Sequence, residues 1–261
     1  MQNSEFANCI IIIKCKISYI SNKKLNKHNV KNVVFLFSPG ASDASYYSSL
    51  FKSLNNKYTF ISINYPGRGS SSVIKNNSIN QIGYYCSGFI NTFCNKYGVK
   101  NYYLFGLSFG ATILIESIKY LNIKAIKKVV IVNGVEFFNS PSKLFFKLIL
   151  IPCLLSKNTR LIYKYIFTKV FVVFEEFGEG DLLSITKQIY SIVSYKFKPS
   201  KDYTKIPAVF INSKKDEIIL VKHTKLLKKT FKNGQFIRLN LKTHRISKPR
   251  LIKIFNNIFF N

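Results

Sequence analysis

The chain has 261 residues, a length that fits one large domain or two small ones. Hydrophobic residues make up 47% of it and aromatic residues 15%, so it can bury enough apolar surface to fold, which excludes an intrinsically disordered basic protein. The 40 Lys and Arg residues against 11 Asp and Glu give a net charge of +29 at pH 7, an excess that indicates a nucleic acid or an anionic membrane as partner unless other features explain it.

Short apolar runs, rich in β-branched residues, alternate along the chain with longer segments of helical spacing. The first run, Ile10–Ile13, is too short for the core of a signal peptide and predicts a strand. The other strand-length runs are nearly continuous in apolar character: Val33–Phe37, Thr59–Asn64, Tyr102–Gly106, Val129–Asn133, Ala208–Asn212 and Phe236–Leu239. Runs of this kind are typical of strands buried on both faces of a parallel sheet.

Helical spacing between these runs completes a series of βα units. The helical segments are Tyr46–Leu54, Ile79–Tyr97, Ala111–Leu121, Val221–Phe231 and Pro249–Phe260. Asp43 is predicted to cap the first of them, and a proline suits the first turn of the last. Because βα units connect by right-handed crossovers, the sequence predicts an α/β fold with a mainly parallel central sheet and helices on both faces.

Residues 137–203 interrupt this alternation. They contain no clean strand, only apolar segments of helical character at Lys143–Leu155 and Leu161–Phe174. We therefore predict a single domain, residues 1–261, with a helical lid inserted at 137–203. The longest apolar stretch contains a lysine and a proline and is too short to cross a bilayer, so we expect it to pack on the sheet, to line an acyl pocket or to touch a membrane surface.

The five cysteines are odd in number and scattered along the chain, with neither a CxxC motif nor a Cys/His cluster in the sequence. This pattern argues against a disulfide framework and against a zinc site of the usual spacing. No metal and no cofactor is predicted. With reduced cysteines and no recognisable signal peptide, the chain is expected to be soluble and cytoplasmic.

One motif, Gly106-Leu107-Ser108-Phe109-Gly110, lies between a predicted strand and a predicted helix. A serine on such a tight turn needs small residues two positions before and after it, because the backbones approach closely. Its Oγ would project at the carboxyl edge of the sheet, and the backbone N–H of Phe109 would lie at the helix start, where negative charge is stabilised. We predict Ser108 to be a nucleophile, the alternative being an ordinary glycine-lined turn.

A serine nucleophile requires a base, and the chain has three histidines. His28 lies in a polar segment and is predicted to be a loop residue, whereas His223 is predicted to occupy the exposed face of a lysine-rich helix. His244 follows a predicted strand and precedes the last helix, which places it at the edge of the sheet where α/β proteins form their active sites. We predict His244 to be the base.

The acid that orients this base is predicted to be Asp216, which follows the strand Ala208–Asn212 after a short loop. Glu217 is its neighbour and is either an alternative acid or a solvated side chain. The chain order Ser108, Asp216, His244 is the nucleophile, acid and base order of one known α/β fold.

Two further segments carry a resemblance to a known family. Residues Phe35–Ala41 (FLFSPGA) look like that family's strand-3 turn, with Pro39 where the family commonly has His. Residues 64–71 (NYPGRGSS) look like its Asp-x-Pro-Gly-x-Gly-x-Ser turn, with Asn64 in place of Asp. Together with the nucleophile motif and the order of the candidates, these segments make residues 33–260 resemble the α/β-hydrolase family.

The resemblance implies a serine hydrolase that acts on an ester or thioester and needs no cofactor. It also implies an oxyanion hole formed by the backbone N–H groups of Ala41 and Phe109. The motifs are similar to those of type II thioesterases, which remove acyl groups from carrier proteins, and the layout is similar to that of the carboxylesterases that cleave pimeloyl-carrier-protein methyl ester. The expected substrate is a small hydrophobic acyl ester or thioester, with an acidic acyl carrier protein as an alternative partner.

The net charge fits a nucleic-acid binder poorly. Lysines occur in nearly every predicted loop and helix, with modest clusters at Lys23–Lys31 and Lys222–Lys232 and no basic stripe interleaved with aromatic residues. Lys, Asn, Ile, Phe and Tyr are enriched together, as A+T-rich codons would produce. A non-catalytic basic protein that binds an anionic membrane or nucleic acid is the alternative from a different class, and a basic face that steers an acidic carrier protein is a third interpretation.

Overall fold

Eight β-strands form one sheet at the centre of the structure. The computed structural model describes residues 6–12, 15–54, 57–134, 150–162, 179–198, 201–216, 218–231 and 233–260. The strands are β1 (Phe6–Ile12), β2 (Cys15–Ser21), β3 (Val33–Phe37), β4 (Thr59–Ile63), β5 (Tyr102–Leu107), β6 (Ile126–Val132), β7 (Ala208–Ser213) and β8 (Gly234–Leu239). Their order in the sheet is β1-β2-β4-β3-β5-β6-β7-β8. The pairs β1·β2 and β2·β4 are antiparallel and the others are parallel, which confirms the predicted mainly parallel sheet.

The strand that sequence analysis missed is β2. Residues 10–12 of the predicted first strand lie in β1 and residue 13 lies outside the described residues, and β2 returns beside β1 as the second strand of an antiparallel hairpin. Two of its seven residues are serines that are buried rather than exposed, Ser18 and Ser21. The Ser18 backbone N–H donates to the Ser71 Oγ at 2.9 Å, and the Ser21 hydroxyl donates to the Lys23 carbonyl at 2.8 Å. The Ser18 Oγ accepts the Asn64 Nδ2 at 2.8 Å, so both buried hydroxyls have hydrogen-bond partners, and the two serines leave no continuous apolar pattern to mark the strand.

Helices cover both faces of the sheet, as predicted. They are α1 (Ser48–Phe51), α2 (Ile79–Tyr97), α3 (Phe109–Ile118), α4 (Leu182–Ser194), α5 (Val221–Thr230) and α6 (Lys248–Phe255), with further helical residues at 150–155 and 157–162. The Asp43 carboxylate accepts the Ser45 backbone N–H at 2.7 Å and caps a 3₁₀ helix, Ala44–Tyr47, that leads into α1. This confirms the predicted cap.

The side chains of β3 show how the core divides into two layers. Phe35 and Phe37 pack on the face covered by α2, α3 and α5, whereas Val34 and Leu36 pack on the face covered by α1 and α6. All four side chains are fully buried, because each face of this central strand contacts helices.

Part of the predicted lid lies outside the described residues. Of residues 137–203, the structure describes 150–162, 179–198 and 201–203. Within these ranges Leu150 and two residues of α4, Ile185 and Ile189, form a small apolar cluster with Ala41. In the described part of the chain, no helix is both long enough and apolar enough to cross a membrane.

Candidate active site

The strand β5 and the helix α3 meet at Ser108 in a sharp turn. Ser108 has φ +54° and ψ −117°, a conformation that residues with a side chain rarely adopt, and α3 begins at the next residue. A Cβ atom on Gly110 would lie 2.2 Å from the Phe37 carbonyl oxygen, and one on Gly106 would lie 2.7 Å from the Ala111 Cα. The two glycines are therefore required for the helix to begin directly against the sheet.

Three polar side chains converge at the carboxyl edge of the sheet. The Ser108 Oγ lies 2.7 Å from the His244 Nε2, and the His244 Nδ1 lies 2.7 Å from the Asp216 Oδ2. The other oxygen of the Asp216 carboxylate accepts backbone N–H groups of Ile218 at 2.9 Å and Ile219 at 2.7 Å. The Asp216 side chain is fully buried and that of His244 is 15% exposed, so water is largely kept from the pair.

Solved structures share this architecture. The enol-lactonase from Burkholderia xenovorans LB400 matches with a TM-score of 0.76 at 13% identity, over 97% of this chain and 100% of its own. An esterase from Exiguobacterium antarcticum matches with a TM-score of 0.77 at 11% identity, over 98% and 100% of the two chains. An α/β-hydrolase fold protein from Chitinophaga pinensis also matches, with a TM-score of 0.72 at 15% identity, over 99% and 98% of the two chains. The chain has the α/β-hydrolase fold.

No protein-family model matches the sequence, and no curated protein sequence does either. The α/β-hydrolase fold is therefore established by the three-dimensional arrangement and not by sequence similarity. Because this fold supports many chemistries, the reaction depends on the side chains at the carboxyl edge of the sheet.

The loops that present Asp216 and His244 are joined to each other. The Lys214 backbone N–H donates to the Leu239 carbonyl at 2.9 Å, and the Lys215 backbone N–H donates to the Leu241 carbonyl at 3.0 Å. These bonds extend the β7·β8 pairing into the loops, so the α/β-hydrolase fold itself sets the distance between the carboxylate and the imidazole.

Asn133 is a site residue that sequence analysis missed. It lies directly after β6 with φ +49°, and it is fully buried. Its Nδ2 donates to the His244 carbonyl at 2.7 Å, while its Oδ1 accepts the Ser213 backbone N–H at 3.1 Å and the Asn212 Nδ2 at 3.2 Å. One amide thus holds the backbone of both loops. The available signal was an asparagine at the end of a buried strand, where a polar residue in a left-handed conformation is accommodated.

The two other histidines lie away from this contact. His28 is exposed in a loop, as predicted. The predicted exposure of His223 was wrong, because this residue is only 5% exposed on α5. It precedes Leu227 by four positions, so the two share the face of α5 that packs on the sheet, and the lysines occupy the other face. Glu217, the alternative acid, lies outside the described residues.

The residues predicted to form the oxyanion hole lie on either side of the β3 end. Phe109 is the first residue of α3, and Ala41 is fully buried in a turn closed by the Ser42 N–H donating to the Pro39 carbonyl at 3.0 Å. Gly110 packs against the carbonyls of the last residue of β3 and of the residue after it, which brings the start of α3 against the beginning of this turn. The start of α3 therefore lies next to the end of β3 and the beginning of the turn that contains Ala41.

Proposed function

We propose that the protein is a serine hydrolase that cleaves an ester or thioester of a hydrophobic acyl group. The observation that carries this proposal is the unbroken hydrogen-bond path from the Ser108 hydroxyl through the His244 imidazole to the buried Asp216 carboxylate. Acyl transfer to a serine requires a nucleophile, a base and an acid that orients the base, in contact in this order. The general hydrolase class is further supported by the esterase and the lactonase that share the α/β-hydrolase fold.

The reaction begins when the Ser108 Oγ attacks the acyl carbonyl carbon. Asp216 accepts a hydrogen bond from the His244 Nδ1–H, which leaves the Nε2 lone pair free to accept the serine proton as the new C–O bond forms. The carboxylate then stabilises the imidazolium. Collapse of the tetrahedral intermediate expels the alcohol or thiol, which receives the proton from Nε2. A water molecule releases the acid from the acyl-enzyme by the same route in reverse.

Charge develops on the substrate oxygen in both steps. We infer that the backbone N–H groups of Phe109 and Ala41 donate to this oxygen, since donors fixed in a site shielded from water stabilise an oxyanion without having to reorganise. The position of Phe109 at the first residue of α3 adds the positive end of the helix dipole to this stabilisation.

The surroundings of the Ala41 turn indicate an apolar acyl group. Leu150, Ile185 and Ile189 pack in one cluster with Ala41, so aliphatic side chains adjoin the residue of the proposed oxyanion donor. An aliphatic environment stabilises an acyl chain and gives no donors for a sugar or a nucleotide.

Labelling with a fluorophosphonate tests this assignment directly. We expect the purified wild-type protein to form a covalent adduct that peptide mapping places on Ser108, because the probe reacts with a serine activated by a neighbouring base. Absence of labelling would contradict the proposal and would favour a non-catalytic basic protein, whereas labelling on a different serine would show that Ser108 is not the nucleophile. The matched control is the variant Ser48→Ala, which should be labelled as fast as wild type because Ser48 lies in α1 and its hydroxyl donates to the Ser45 carbonyl three residues before it.

A second candidate function is a carrier-protein-directed thioesterase. The loops that hold Asp216 and His244 expose four cationic side chains, namely those of Lys214, Lys215, Lys242 and Arg245. A cationic border beside the reacting groups would attract an acidic carrier protein and raise its association rate.

Salt dependence separates the two candidates. For a carrier-directed enzyme we expect kcat/KM on an acyl-carrier thioester to fall about tenfold as NaCl rises from low to high concentration, while kcat/KM on a free p-nitrophenyl ester stays nearly constant. Reversing one of these charges, Lys242→Glu, should reproduce the loss at low salt, and Lys52→Glu, at an exposed residue directly after α1, should not. Equal salt dependence for both substrates would exclude carrier steering.

A further inference from the structure

The Arg68 side chain is a buried charge that the proposed reaction does not use. It is fully buried, yet among the described residues no carboxylate lies within ion-pair distance of its guanidinium. Its Nη2 is also buried and has no hydrogen-bond partner in that part of the chain. A guanidinium held in this way is costly, because buried charges are ordinarily paired.

Two aromatic rings and two directional hydrogen bonds hold this guanidinium. It lies 4.7 Å from the centroid of the Tyr65 ring and 5.1 Å from that of Phe109. Burial lowers its pKa to about 10, so it remains charged at neutral pH. The Nη1 donates to the Ser42 carbonyl at 2.5 Å, and the Nε donates to the Gln188 Oε1 at 2.8 Å. The rings orient the plane of the guanidinium and the bonds fix its direction.

The first of these bonds ends on the turn that contains Ala41. Ser42 closes this turn through its N–H, and its carbonyl also accepts the Ser38 hydroxyl at 3.2 Å. The Arg68 guanidinium therefore fixes the end of the turn, next to the backbone N–H that we assign to the oxyanion. The same guanidinium contacts the ring of Phe109, the residue that supplies the other donor.

The second bond ends on α4, a helix within the predicted lid segment, residues 137–203. Gln188 is fully buried, and its Nε2 donates to the Pro66 carbonyl at 2.6 Å and to the Asn77 Oδ1 at 3.1 Å. All the polar atoms of this amide are thus committed to the loop around Arg68.

Backbone bonds join the segment before α4 to the same loop. The Gly69 N–H donates to the Glu179 carbonyl at 2.6 Å, and the Asp181 N–H donates to the Gly67 carbonyl at 2.8 Å. The Glu179 N–H donates to the Asp43 carboxylate at 2.7 Å, immediately after the turn of Ala41. Hydrogen bonds therefore join the beginning of α4 to both the loop of Arg68 and the turn of Ala41.

We propose that Arg68 is a positioning residue that couples α4 to the oxyanion hole. Its bonds to Gln188 and Ser42 hold the turn of Ala41 and the ring of Phe109 in one arrangement, so that both backbone N–H groups point to the same oxygen. This role rests on the proposed function, since it concerns the donors of that reaction. A small displacement of either donor would reduce stabilisation of the transition state much more than binding of the ground state.

The variant Arg68→Lys tests this role. It keeps a positive charge and loses the planar fork that spans Gln188 and Ser42. We expect kcat on a p-nitrophenyl ester to fall about tenfold with KM changed less than about twofold. Inhibition by a trifluoromethyl ketone, which the serine converts to a tetrahedral oxyanion, should weaken by the same factor as kcat/KM falls. Binding of a substrate-like ether, which forms no oxyanion, should not change.

Gln188→Leu is the second variant, in case Arg68→Lys does not fold. It removes the α4 side of the coupling and leaves the guanidinium in place, and we expect the same parallel loss of kcat/KM and ketone inhibition. The double variant should lose no more than Arg68→Lys alone, because both changes break one connection. Lys128→Met is the control, since Lys128 donates to a different carbonyl, that of Ile258, and should keep wild-type kinetics.

The outcomes separate the coupling role from the proposed function. Folded Arg68→Lys and Gln188→Leu variants that keep wild-type ketone inhibition and kcat would overturn the coupling role while the hydrolase assignment stands. Equal weakening of the ether and the ketone would overturn it as well, because it would indicate a general loss of substrate binding. A wild-type protein that neither labels at Ser108 nor turns over any acyl ester would overturn the hydrolase assignment, and the coupling role with it.

Discussion

Replacing Ser108 with alanine should lower kcat on an acyl ester by roughly 10⁶-fold, which corresponds to about 8 kcal/mol of transition-state stabilisation. The hydroxyl removed is the one whose oxygen lies 2.7 Å from the His244 Nε2. Without it the acyl-enzyme cannot form, and only the oxyanion donors and substrate binding remain to accelerate attack by water. The measurement is hydrolysis of a p-nitrophenyl ester by the purified variant, with the melting temperature recorded alongside.

The fold should survive this change. Alanine retains the Cβ atom that the backbone at φ +54° already accommodates, and no other hydrogen bond of the Ser108 hydroxyl is recorded among the described residues. The double variant Ser108→Ala/His244→Ala should be no slower than Ser108→Ala, because residues that act as one unit are not additive. A Ser108→Ala variant that is as fast as wild type would eliminate the serine mechanism.

The predictable part of this structure is the part that repeats along a parallel sheet. Apolar runs locate β3 to β8 within a few residues, although the edge strand β8 is only partly buried, and parallel strands end at a common edge. That rule alone places Ser108, Asp216 and His244 near one another, since each follows the end of a different strand. The glycines flanking Ser108 add a local signal, because only small residues let α3 begin against the sheet.

Residues whose roles depend on single tertiary hydrogen bonds were not predictable. The sequence predicts Asn133 only as the last residue of a strand. Nothing in the neighbouring residues indicates that its side-chain amide donates to a backbone carbonyl 111 residues away. In a chain of net charge +29, the sequence does not distinguish Arg68 from the other cationic residues, although its guanidinium is buried against two aromatic rings. The burial of His223 was predicted wrongly because the neighbouring lysines indicated an exposed helix face, whereas the four-residue spacing from His223 to Leu227 indicated a buried one. For Asn133 and for the Gln188 contact of Arg68 the partner is more than 100 residues away, so the local pattern carries no information about it, whereas the cue for His223 was local.

Replacing Asp216 with asparagine should lower kcat by about 10⁴-fold and leave KM nearly unchanged. The expected fall in kcat follows from the hydrogen bonds of the carboxylate. Its Oδ1 accepts two backbone N–H groups, from Ile218 and Ile219, so an amide in its place must present its oxygen to them. The amide NH₂ then faces the His244 Nδ1, which can satisfy it only as an acceptor.

Reversing the direction of the hydrogen bond between residue 216 and the His244 Nδ1 moves the imidazole proton to the wrong nitrogen. With Nδ1 acting as acceptor, the neutral ring carries its proton on Nε2, and that nitrogen can no longer take the proton of the Ser108 hydroxyl 2.7 Å away. Fluorophosphonate labelling should slow by a comparable factor. Asp202→Asn, in the 3₁₀ helix Lys201–Lys205, makes the same change of charge and should label at the wild-type rate.

A weaker effect of Asp216→Asn would have a specific meaning, because the neighbouring carboxylate provides the comparison. If the variant stays within about tenfold of wild type while Glu217→Gln loses the full factor, Glu217 is the orienting acid and the assignment of Asp216 is wrong. If both single variants keep activity, the imidazole needs no carboxylate and a triad mechanism is excluded. The contacts of Asp216 favour it as the orienting acid. Its carboxylate is fully buried and accepts two backbone N–H groups, so its direction is already fixed before any substrate binds.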